Sequence, residues 1–284
     1  MTVKRVGIVG SGIMGSGIAE VAAKAGFDVV LRSRAQSTAD SMVAGLEKSL
    51  AKQVDRGKLD AGERDAVLGR VQAVTDLREL GDCDLVIESV VEDLSTKKHI
   101  FTELDRICPE HTIIATNTST LPVVEMAMET GRPDKVCGIH FFNPAPMMAL
   151  VEVVSAITSS DATIDEAVAF ATTCGKNAVQ VRDQAGFVVN ALLFPYLNNA
   201  VKLYDAGVAT RDDIDAAMKG GCNFPMGPLE LLDLVGLDTS LAILEALFAE
   251  FQDPNYAPAP LLRRMVSAER LGRKTGLGFY EYKR

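Results

Sequence analysis

One histidine of this chain stands in a setting suited to proton transfer. His140 lies in GIHFFNP at the end of a predicted strand, whereas His99 and His111 lie in a charged helix and a polar turn. Imidazole titrates near neutral pH, so His140 can serve as a general acid or base. Glu152, within the apolar strand LVEVV, would be costly to bury alone and needs a cationic or donor partner. The alternative is that His140 is a buried structural histidine.

A second polar group, Asn117-Thr-Ser119, directly follows the predicted strand TIIAT. Open α/β sheets bind their ligands at the carboxyl ends of the strands. We therefore expect Asn117, Ser119 and His140 to lie at a ligand-binding edge, with Asn117 as a candidate cofactor contact.

A glycine-rich turn, GSGIMG, lies between a predicted strand and a predicted helix near the start of the chain. Gly10 permits the tight turn, Gly12 allows the backbone to approach a pyrophosphate, and Gly15 allows close packing of helix and strand. The helix N-terminus adds free N–H groups and the positive end of its dipole. The turn predicts a dinucleotide site, and the alternative is a purely structural turn. The predicted contacts are Gly10, Ser11, Gly12, Ile13, Met14 and Gly15.

Position 33, where such a site usually carries an acidic residue for the ribose hydroxyls, is a serine. Ser33 removes the repulsion that an aspartate would exert on a 2′-phosphate. Arg34, with Arg32 as a further candidate, can form charge-assisted bonds to that phosphate. This chemistry favours NADP(H), with NAD(H) as the alternative cofactor. If both arginines are only solvated charges at a strand end, they carry no preference.

The elements that must position these residues alternate between strand and helix up to about residue 183. A polar, helical region over 37–70 carries an apolar stripe at helical spacing, which predicts a helical hairpin inserted into the pattern. Such alternation predicts an α/β fold, a Rossmann-like doubly wound sheet. The predicted strands are 6–9, 28–31, 84–88, 112–115, 135–141, 150–154 and 178–181, and the predicted helices outside the hairpin are 13–24, 94–107 and 163–174.

The pattern changes near residue 183 to helices separated by Gly/Pro turns. The helices are predicted over 192–204, 211–219, 229–234 and 240–251. We therefore predict a dinucleotide-binding domain over 1–183 and a small all-α domain over 184–284.

Composition narrows the class of protein. The net charge of -9 over 284 residues argues against nucleic acid as a partner. The five cysteines are odd in number, widely spread and without a CxxC pair, which argues against disulfides or zinc and for a reducing cytosol. No apolar run approaches the ~18 residues of a membrane span, and the first strand begins too early for a signal peptide. We expect a cytoplasmic protein without a metal site.

Several longer motifs cover nearly the whole chain: GSGIMGSGIA, NTST, GIHFFNPAPMMALVEVV, QAGFVVNALLFPYLNNA, FPMGPLELLDLVGLD and GRKTGLGFYEY. In these motifs the chain resembles the L-3-hydroxyacyl-CoA dehydrogenase family, short-chain 3-hydroxybutyryl-CoA type. The resemblance implies interconversion of 3-hydroxyacyl-CoA and 3-oxoacyl-CoA, such as 3-hydroxybutyryl-CoA and acetoacetyl-CoA. It also implies a homodimer formed through the helical domain.

The resemblance assigns roles to individual residues. It makes His140 the catalytic base and Glu152 its orienting partner, with Ser119 and Asn190 binding the reacting oxygen. The sequence departs from NAD-using members at Ser33, where they carry Asp. Further cofactor contacts are implied at Glu92, Lys97, Asn143 and Lys274; by themselves, Glu92 and Lys97 would be solvated charges.

The substrate's CoA portion has its own candidate surface. Ser49, Lys52 and Arg56 share one helix face at i, i+3 and i+7 spacing. A basic, exposed face suits CoA phosphates in an acidic protein, and Ser49 and Arg56 also match positions of the family. The alternative is an ordinary solvated face.

Two other functions are compatible with parts of the sequence. A hydroxy-acid or sugar-acid dehydrogenase on the same scaffold would not need the CoA-facing helix. A non-catalytic dinucleotide-sensing or structural protein would not need His140 and Glu152.

Overall fold

The computed structural model describes residues 3–283. Within that range the chain falls into two compact units, an N-terminal unit that ends at Asp183 and a C-terminal unit that begins at Gln184. The first is α/β and the second is built from helices. The predicted fold class is therefore confirmed.

The N-terminal unit is organised around one sheet. Its strands are β1 (Arg5–Val9), β2 (Asp28–Arg32), β3 (Val71–Val74), β4 (Leu85–Glu88), β5 (Ile113–Thr116), β6 (Val136–Phe141), β7 (Leu150–Ser155) and β8 (Asn177–Arg182). They lie in the order β3-β2-β1-β4-β5-β6-β7-β8. The first six follow the doubly wound order of dinucleotide-binding folds. Among these eight strands of the described range, only β6 and β7 pair antiparallel, so the start of β7 lies beside the end of β6.

Helices connect the strands of this sheet. They are α1 (Ile13–Lys24), α2 (Gln36–Asp55), α3 (Ala61–Gly69), α4 (Leu94–Ile107), α5 (Val123–Ala127) and α6 (Asp161–Thr173). The predicted helical hairpin consists of α2 and α3. The chain reverses through Gly57, which has a φ of +64°. A capping box then starts α3, in which Asp60 accepts from Glu63 N at 2.7 Å and Glu63 accepts from Asp60 N at 3.2 Å.

The core of the N-terminal unit lies between the sheet and its helices. Ile8, Ile87 and Ile139 of the central strands are fully buried, and Leu46 and Leu50 of α2 pack into the same cluster. The apolar stripe predicted along α2 therefore faces the core. Burial of one such side chain contributes about 1.5–3 kcal/mol, so this packing fixes the strand ends that carry the polar residues.

The C-terminal unit consists of α7 (Val189–Asp205), α8 (Arg211–Cys222), α9 (Pro228–Val235), α10 (Leu237–Phe251) and α11 (Pro260–Ser267). Two buried aspartates order its turns. Asp215 accepts hydrogen bonds from Leu229 N and Glu230 N, in the first turn of α9, at 2.8 and 3.0 Å. Asp233 accepts from the backbone N–H groups of Phe279 and Tyr280 at 2.9 and 2.8 Å. Asp233, in the motif FPMGPLELLD, thus holds the backbone of the motif GLGFYEY.

Three elements were not predicted from the sequence. Strand β3 is a half-exposed edge strand, VQAV, whose central glutamine masks a strand pattern. Helix α5 has only five residues, too few for a periodic signal. Helix α11 begins at a proline and carries Arg263 and Arg264 on its exposed side, so its apolar face is short.

Candidate active site

A histidine–carboxylate pair lies at the carboxyl end of β6. His140 and Glu152 are direct cross-strand partners in the antiparallel β6–β7 register. The His140 Nδ1 atom lies 2.8 Å from Glu152 Oε2, and the two side chains are 5% and 1% exposed. Both sit in the interior because β6 and β7 are buried along almost their whole lengths. The carboxylate therefore fixes the ring orientation and directs Nε2 away from β7.

Ser119 faces the Nε2 side of the ring. It lies in the loop that follows β5, and its Oγ atom lies 3.2 Å from His140 Nε2. The ring of Phe142 contacts the imidazole with a centroid distance of 4.5 Å and shields it from water. A hydroxyl and an imidazole nitrogen thus converge, an arrangement that can bind one oxygen atom of a substrate.

The Ser119 loop is held by a carboxylate from the preceding βα connection. Glu92 Oε1 accepts from Thr118 Oγ1 at 2.5 Å and from Ser119 N at 2.8 Å. Asn117, at the start of the loop, accepts a hydrogen bond from Phe141 N at 2.8 Å through Oδ1. The side chain of Asn117 therefore ties the ends of β5 and β6 together. These bonds give the loop one defined position relative to His140.

Lys97 is not a solvated charge. Its side chain is 1% exposed, and its Nζ lies 2.8 Å from Glu88 Oε1 and 3.3 Å from Glu92 Oε2. The expectation for Lys97 taken alone is therefore wrong, because the spacing in sequence does not reveal that α4 turns this residue inward. Glu92 is 40% exposed and is the accessible member of the group.

The glycine turn has the geometry that a pyrophosphate needs. Gly10 has a φ of +118°, and its N–H donates to Arg32 O at 3.0 Å. A Cβ on Gly15 would lie 1.8 Å from Gly10 O, so only glycine fits there. A Cβ on Gly12 would meet nothing within 4 Å, so the backbone is open at this point. Gly12 is also the N-cap of α1 and offers no side chain to its first-turn N–H groups. A dinucleotide phosphate fits this opening.

Ser33 belongs to a small cluster of hydroxyl groups at the end of β2. Its Oγ lies 2.7 Å from Ser11 Oγ and also contacts Thr38 Oγ1, and Ser33 is 1% exposed. Arg34 is exposed, and within residues 3–283 its side chain makes no hydrogen bond or ion pair. Arg32 instead donates from Nε to Thr75 O at 3.1 Å. Of the two arginines, Arg34 is the more exposed.

A groove of about 720 Å³ runs from the glycine turn along α1 and α2. Ser49 lines it and donates to Glu20 Oε2 at 2.9 Å. Lys52 and Arg56 are exposed. The predicted three-residue face is thus split, because Ser49 turns toward α1 while the two basic residues turn to solvent.

Glu20 is a buried carboxylate that lines this groove. Burial favours its neutral form, but Lys24 Nζ at 2.6 Å, Gln53 Nε2 at 2.9 Å and the Ser49 hydroxyl outweigh that effect. The net result is a pKa below the usual 4.5. The carboxylate therefore stays charged and joins α1 to α2.

The remaining predicted site residues are Asn143, Asn190 and Lys274. Asn143 is exposed, in the loop between β6 and β7, and precedes a cis peptide bond to Pro144. Asn190 lies in the first turn of α7, in the C-terminal unit, and is 7% exposed. Lys274, also in the C-terminal unit, forms an ion pair with Asp238.

Sequence reasoning missed three side chains around these groups. Glu88 ends β4 as a fully buried carboxylate, and the run LVIE hides it as a strand terminus. Phe142 directly follows β6 and contacts the His140 ring. Lys176 donates from Nζ to Ala145 O at 2.7 Å and to Met148 O at 2.8 Å, and burial lowers its pKa. Lys176 thus fixes the loop that carries Asn143, which no sequence spacing indicated.

Metal-binding clusters and membrane-spanning helices are both absent among the described residues. Over 3–283, no group of three histidine, cysteine or acidic side chains is arranged to hold a metal ion. None of the helices in that range combines the length and apolar character of a membrane span.

The chain combines a glycine turn, a doubly wound sheet and a histidine at the end of a strand. Together these features define a dinucleotide-binding dehydrogenase fold. Two family models match the chain: 3-hydroxyacyl-CoA dehydrogenase, NAD binding domain, over residues 5–184, and 3-hydroxyacyl-CoA dehydrogenase, C-terminal domain, over 186–282. The chain belongs to the 3-hydroxyacyl-CoA dehydrogenase family.

Individual relatives are similar to this chain over nearly its full length. The chain is 49% identical to a 3-hydroxybutyryl-CoA dehydrogenase of Clostridioides difficile, across 98% of this chain and 99% of that protein. Its structure is similar to FadB2 of M. tuberculosis, with a TM-score of 0.97, 47% identity and complete coverage of both chains. A (S)-3-hydroxybutyryl-CoA dehydrogenase from Ralstonia eutropha gives a TM-score of 0.97 at 41% identity, again with complete coverage of both.

Proposed function

We propose that this chain interconverts (S)-3-hydroxybutyryl-CoA and acetoacetyl-CoA with a nicotinamide cofactor. The observation that carries the proposal is the His140–Glu152 pair with Ser119 beside His140 Nε2, in a chain of this family. An enzyme that oxidises a secondary alcohol needs one group to accept the hydroxyl proton, and His140 supplies that group in this site.

His140 performs the proton transfer at Nε2. With Glu152 accepting the Nδ1 proton at 2.8 Å, the neutral ring has its lone pair on Nε2, facing Ser119. In the oxidation direction Nε2 takes the hydroxyl proton of the substrate, and the resulting imidazolium is stabilised by the Glu152 carboxylate. A bound nicotinamide cofactor would supply the acceptor for the hydride that leaves C3 of the acyl chain. In reduction His140 returns the proton to the oxygen.

Ser119 stabilises the reacting oxygen. Its hydroxyl can donate to the substrate oxygen while negative charge develops there during reduction. The Glu92 carboxylate holds the Ser119 backbone through the 2.8 Å bond from Ser119 N, so the hydroxyl is preorganised. For Asn190, the role of second donor to the same oxygen rests on the family resemblance.

The cofactor that we propose is NADP(H). Ser33 leaves the ribose end of the site without the carboxylate that would repel a 2′-phosphate, and the exposed Arg34 guanidinium is available to pair with it. The Ser33 hydroxyl is already bonded to Ser11 and Thr38, so its main contribution is the missing charge. A kcat/KM for NADH well above that for NADPH would contradict this preference.

Residues 1–183 serve as the dinucleotide-binding domain in this proposal, and 184–284 as the substrate and dimerisation domain. The contacts of Asn143, Glu92 and Lys274 with the cofactor are part of the same proposal. For Lys97 the side chain is occupied by Glu88 and Glu92, so its contribution is to position Glu92.

We infer a homodimer formed through the C-terminal unit. The inference rests on the family resemblance, and Leu192 and Val208, which are 72% and 67% exposed, are apolar side chains of that unit that a second chain could cover. Sedimentation at low micromolar concentration should give the mass of two chains; a single-chain mass would contradict the inference.

The cytoplasm is the compartment that fits the thiols. All five cysteines are free, and burial raises the pKa of the Cys137 thiol to about 12. Unpaired thiols are typical of a reducing environment.

The direct test of the activity is a spectrophotometric assay with acetoacetyl-CoA and each reduced cofactor. We expect rapid oxidation of the cofactor with acetoacetyl-CoA and much slower oxidation with free acetoacetate. Equal rates with both would favour a hydroxy-acid dehydrogenase, and no oxidation with either would contradict the proposal.

A further inference from the structure

A buried charge cluster lies beside the loop that carries Ser119. It consists of Glu88, Lys97 and Glu92, and we call it the Glu88 cluster. We propose that Glu88 is a positioning residue for Ser119, acting through Lys97 and Glu92. The inference rests on the proposed function, because its effect is measured in that reaction.

Glu88 is fully bonded in the interior. Its side chain is 0% exposed, and Lys97 Nζ donates to Oε1 and Oε2 at 2.8 and 2.9 Å. Thr116 Oγ1 donates to Oε2 at 2.8 Å, and Val90 N donates to Oε1 at 2.6 Å. The carboxylate thus joins the end of β4, the end of β5 and the start of α4. Its position is fixed by all three.

The cluster reaches Ser119 through Glu92. Lys97 Nζ lies 3.3 Å from Glu92 Oε2, which restrains that carboxylate. The other oxygen, Oε1, accepts from Thr118 Oγ1, Ser119 N and Thr120 N at 2.5, 2.8 and 3.3 Å. A continuous series of ionic and hydrogen bonds therefore runs from Glu88 to the Ser119 backbone.

Stability alone does not account for this cluster. A buried ion pair gains little over two apolar side chains of similar volume, because desolvation offsets the attraction. In the cluster, one ammonium is instead divided unequally between two carboxylates. Glu88 holds Lys97 by both oxygens, so Lys97 approaches Glu92 by only one longer contact and leaves Oε1 to the loop.

Removal of the Glu88 charge changes that division. The ammonium would then have Glu92 as its only carboxylate partner in the cluster and would move toward it. It would compete with the Thr118 hydroxyl and the Ser119 N–H for the same carboxylate. The loop would shift, and the Ser119 hydroxyl would lose its 3.2 Å contact with His140 Nε2.

A double-mutant cycle distinguishes positioning from general destabilisation. The variants are Glu88→Gln, Ser119→Ala and the combination, with acetoacetyl-CoA reduction as the assay. We expect Glu88→Gln to lower kcat/KM about tenfold in the wild-type background, and by less than about twofold when Ser119 is already alanine. An equal loss in both backgrounds, or no loss in the first, would overturn the assignment.

A second variant guards against failure to fold, since Glu88→Gln leaves a poorly paired ammonium in the interior. Glu88→Leu combined with Lys97→Met replaces both charges by apolar side chains. Glu92 then loses the 3.3 Å contact with Lys97 Nζ that restrains it, but no ammonium competes with the loop. We therefore expect a folded protein with a thermal midpoint near that of the wild type and a loss of kcat/KM that is smaller than in Glu88→Gln. Full activity in this folded variant would overturn the assignment.

Asp105→Asn is the matched control. Asp105 accepts from Arg132 Nε at 2.8 Å in another largely buried ion pair, which contacts neither the Ser119 loop nor the Glu88 cluster. We expect this substitution to lower the thermal midpoint without changing kcat/KM. A comparable loss of activity here would show that any buried ion pair matters equally and would overturn the assignment. A wild-type chain with no activity would instead overturn the proposed function itself, and the assignment with it.

Discussion

Replacement of Glu152 by glutamine isolates the electrostatic part of the histidine–carboxylate pair. The two groups have nearly the same shape, so the amide oxygen of the Glu152→Gln variant can still accept the Nδ1 proton of His140. What is lost is the negative charge, which lies 2.8 Å from Nδ1 and is 1% exposed. That charge matters most when the ring is an imidazolium, which is the state formed during oxidation.

The size of the effect follows from the geometry. A hydrogen bond to a charged group contributes about 1.5–3 kcal/mol, and here solvent does not screen it. At about 1.36 kcal/mol per factor of ten, kcat should fall roughly 10- to 150-fold. KM for the CoA substrate should change little, because Glu152 is placed to contact His140 rather than the substrate.

Steady-state oxidation of (S)-3-hydroxybutyryl-CoA, the direction that forms the imidazolium, measures both constants. Glu250→Gln, which removes an exposed carboxylate on α10, is the control and should keep wild-type kinetics. A folded Glu152→Gln enzyme whose kcat falls by less than about threefold would refute the role of the charge.

Three further predictions concern the cofactor, the CoA portion and stability. Ser33→Asp should shift the ratio of kcat/KM for NADPH over NADH at least about tenfold toward NADH, since like charges repel by several kcal/mol when close; an unchanged ratio would show that position 33 does not reach the ribose. Lys52→Ala with Arg56→Ala should raise KM for acetoacetyl-CoA several-fold without changing KM for free acetoacetate, and equal changes for both would exclude a CoA contact. The carboxylate of Glu20, whose pKa lies below 4.5, stabilises the fold above that pH and loses this contribution as pH falls through its folded-state pKa. Thermal melts of Glu20→Gln should therefore vary less with acid pH than those of the wild type, and parallel curves would contradict this.

The fold class was accessible from the sequence because the relevant signals are local. The apolar run before Gly10, the glycine spacing and the stripe through Leu46 and Leu50 each report the environment of the residues that carry them. Edge strand β3 was not predicted because a half-exposed strand has a mixed composition. Its pairing with β2 depends on the tertiary fold and not on its own residues.

The site was predictable in its residue types and less so in its contacts. His140 and Glu152 were identifiable as unusual polar residues in apolar strands, and the antiparallel register that pairs them became clear only from the sheet. The burial of Lys97 and the inward turn of Ser49 both depend on helix orientation. A carboxylate such as Glu88, which acts through other side chains, has no sequence signal that separates it from an ordinary strand end.

The central claim is that His140 moves the proton in a 3-hydroxyacyl-CoA dehydrogenase reaction. Single-turnover reduction of acetoacetyl-CoA by His140→Gln, pre-loaded with reduced cofactor, tests it most directly. We predict that His140→Gln loses nearly all turnover and still binds the cofactor, as measured by fluorescence titration. The control His111→Gln, which alters an exposed histidine, should keep full activity. Turnover by His140→Gln at the wild-type rate would contradict the mechanism.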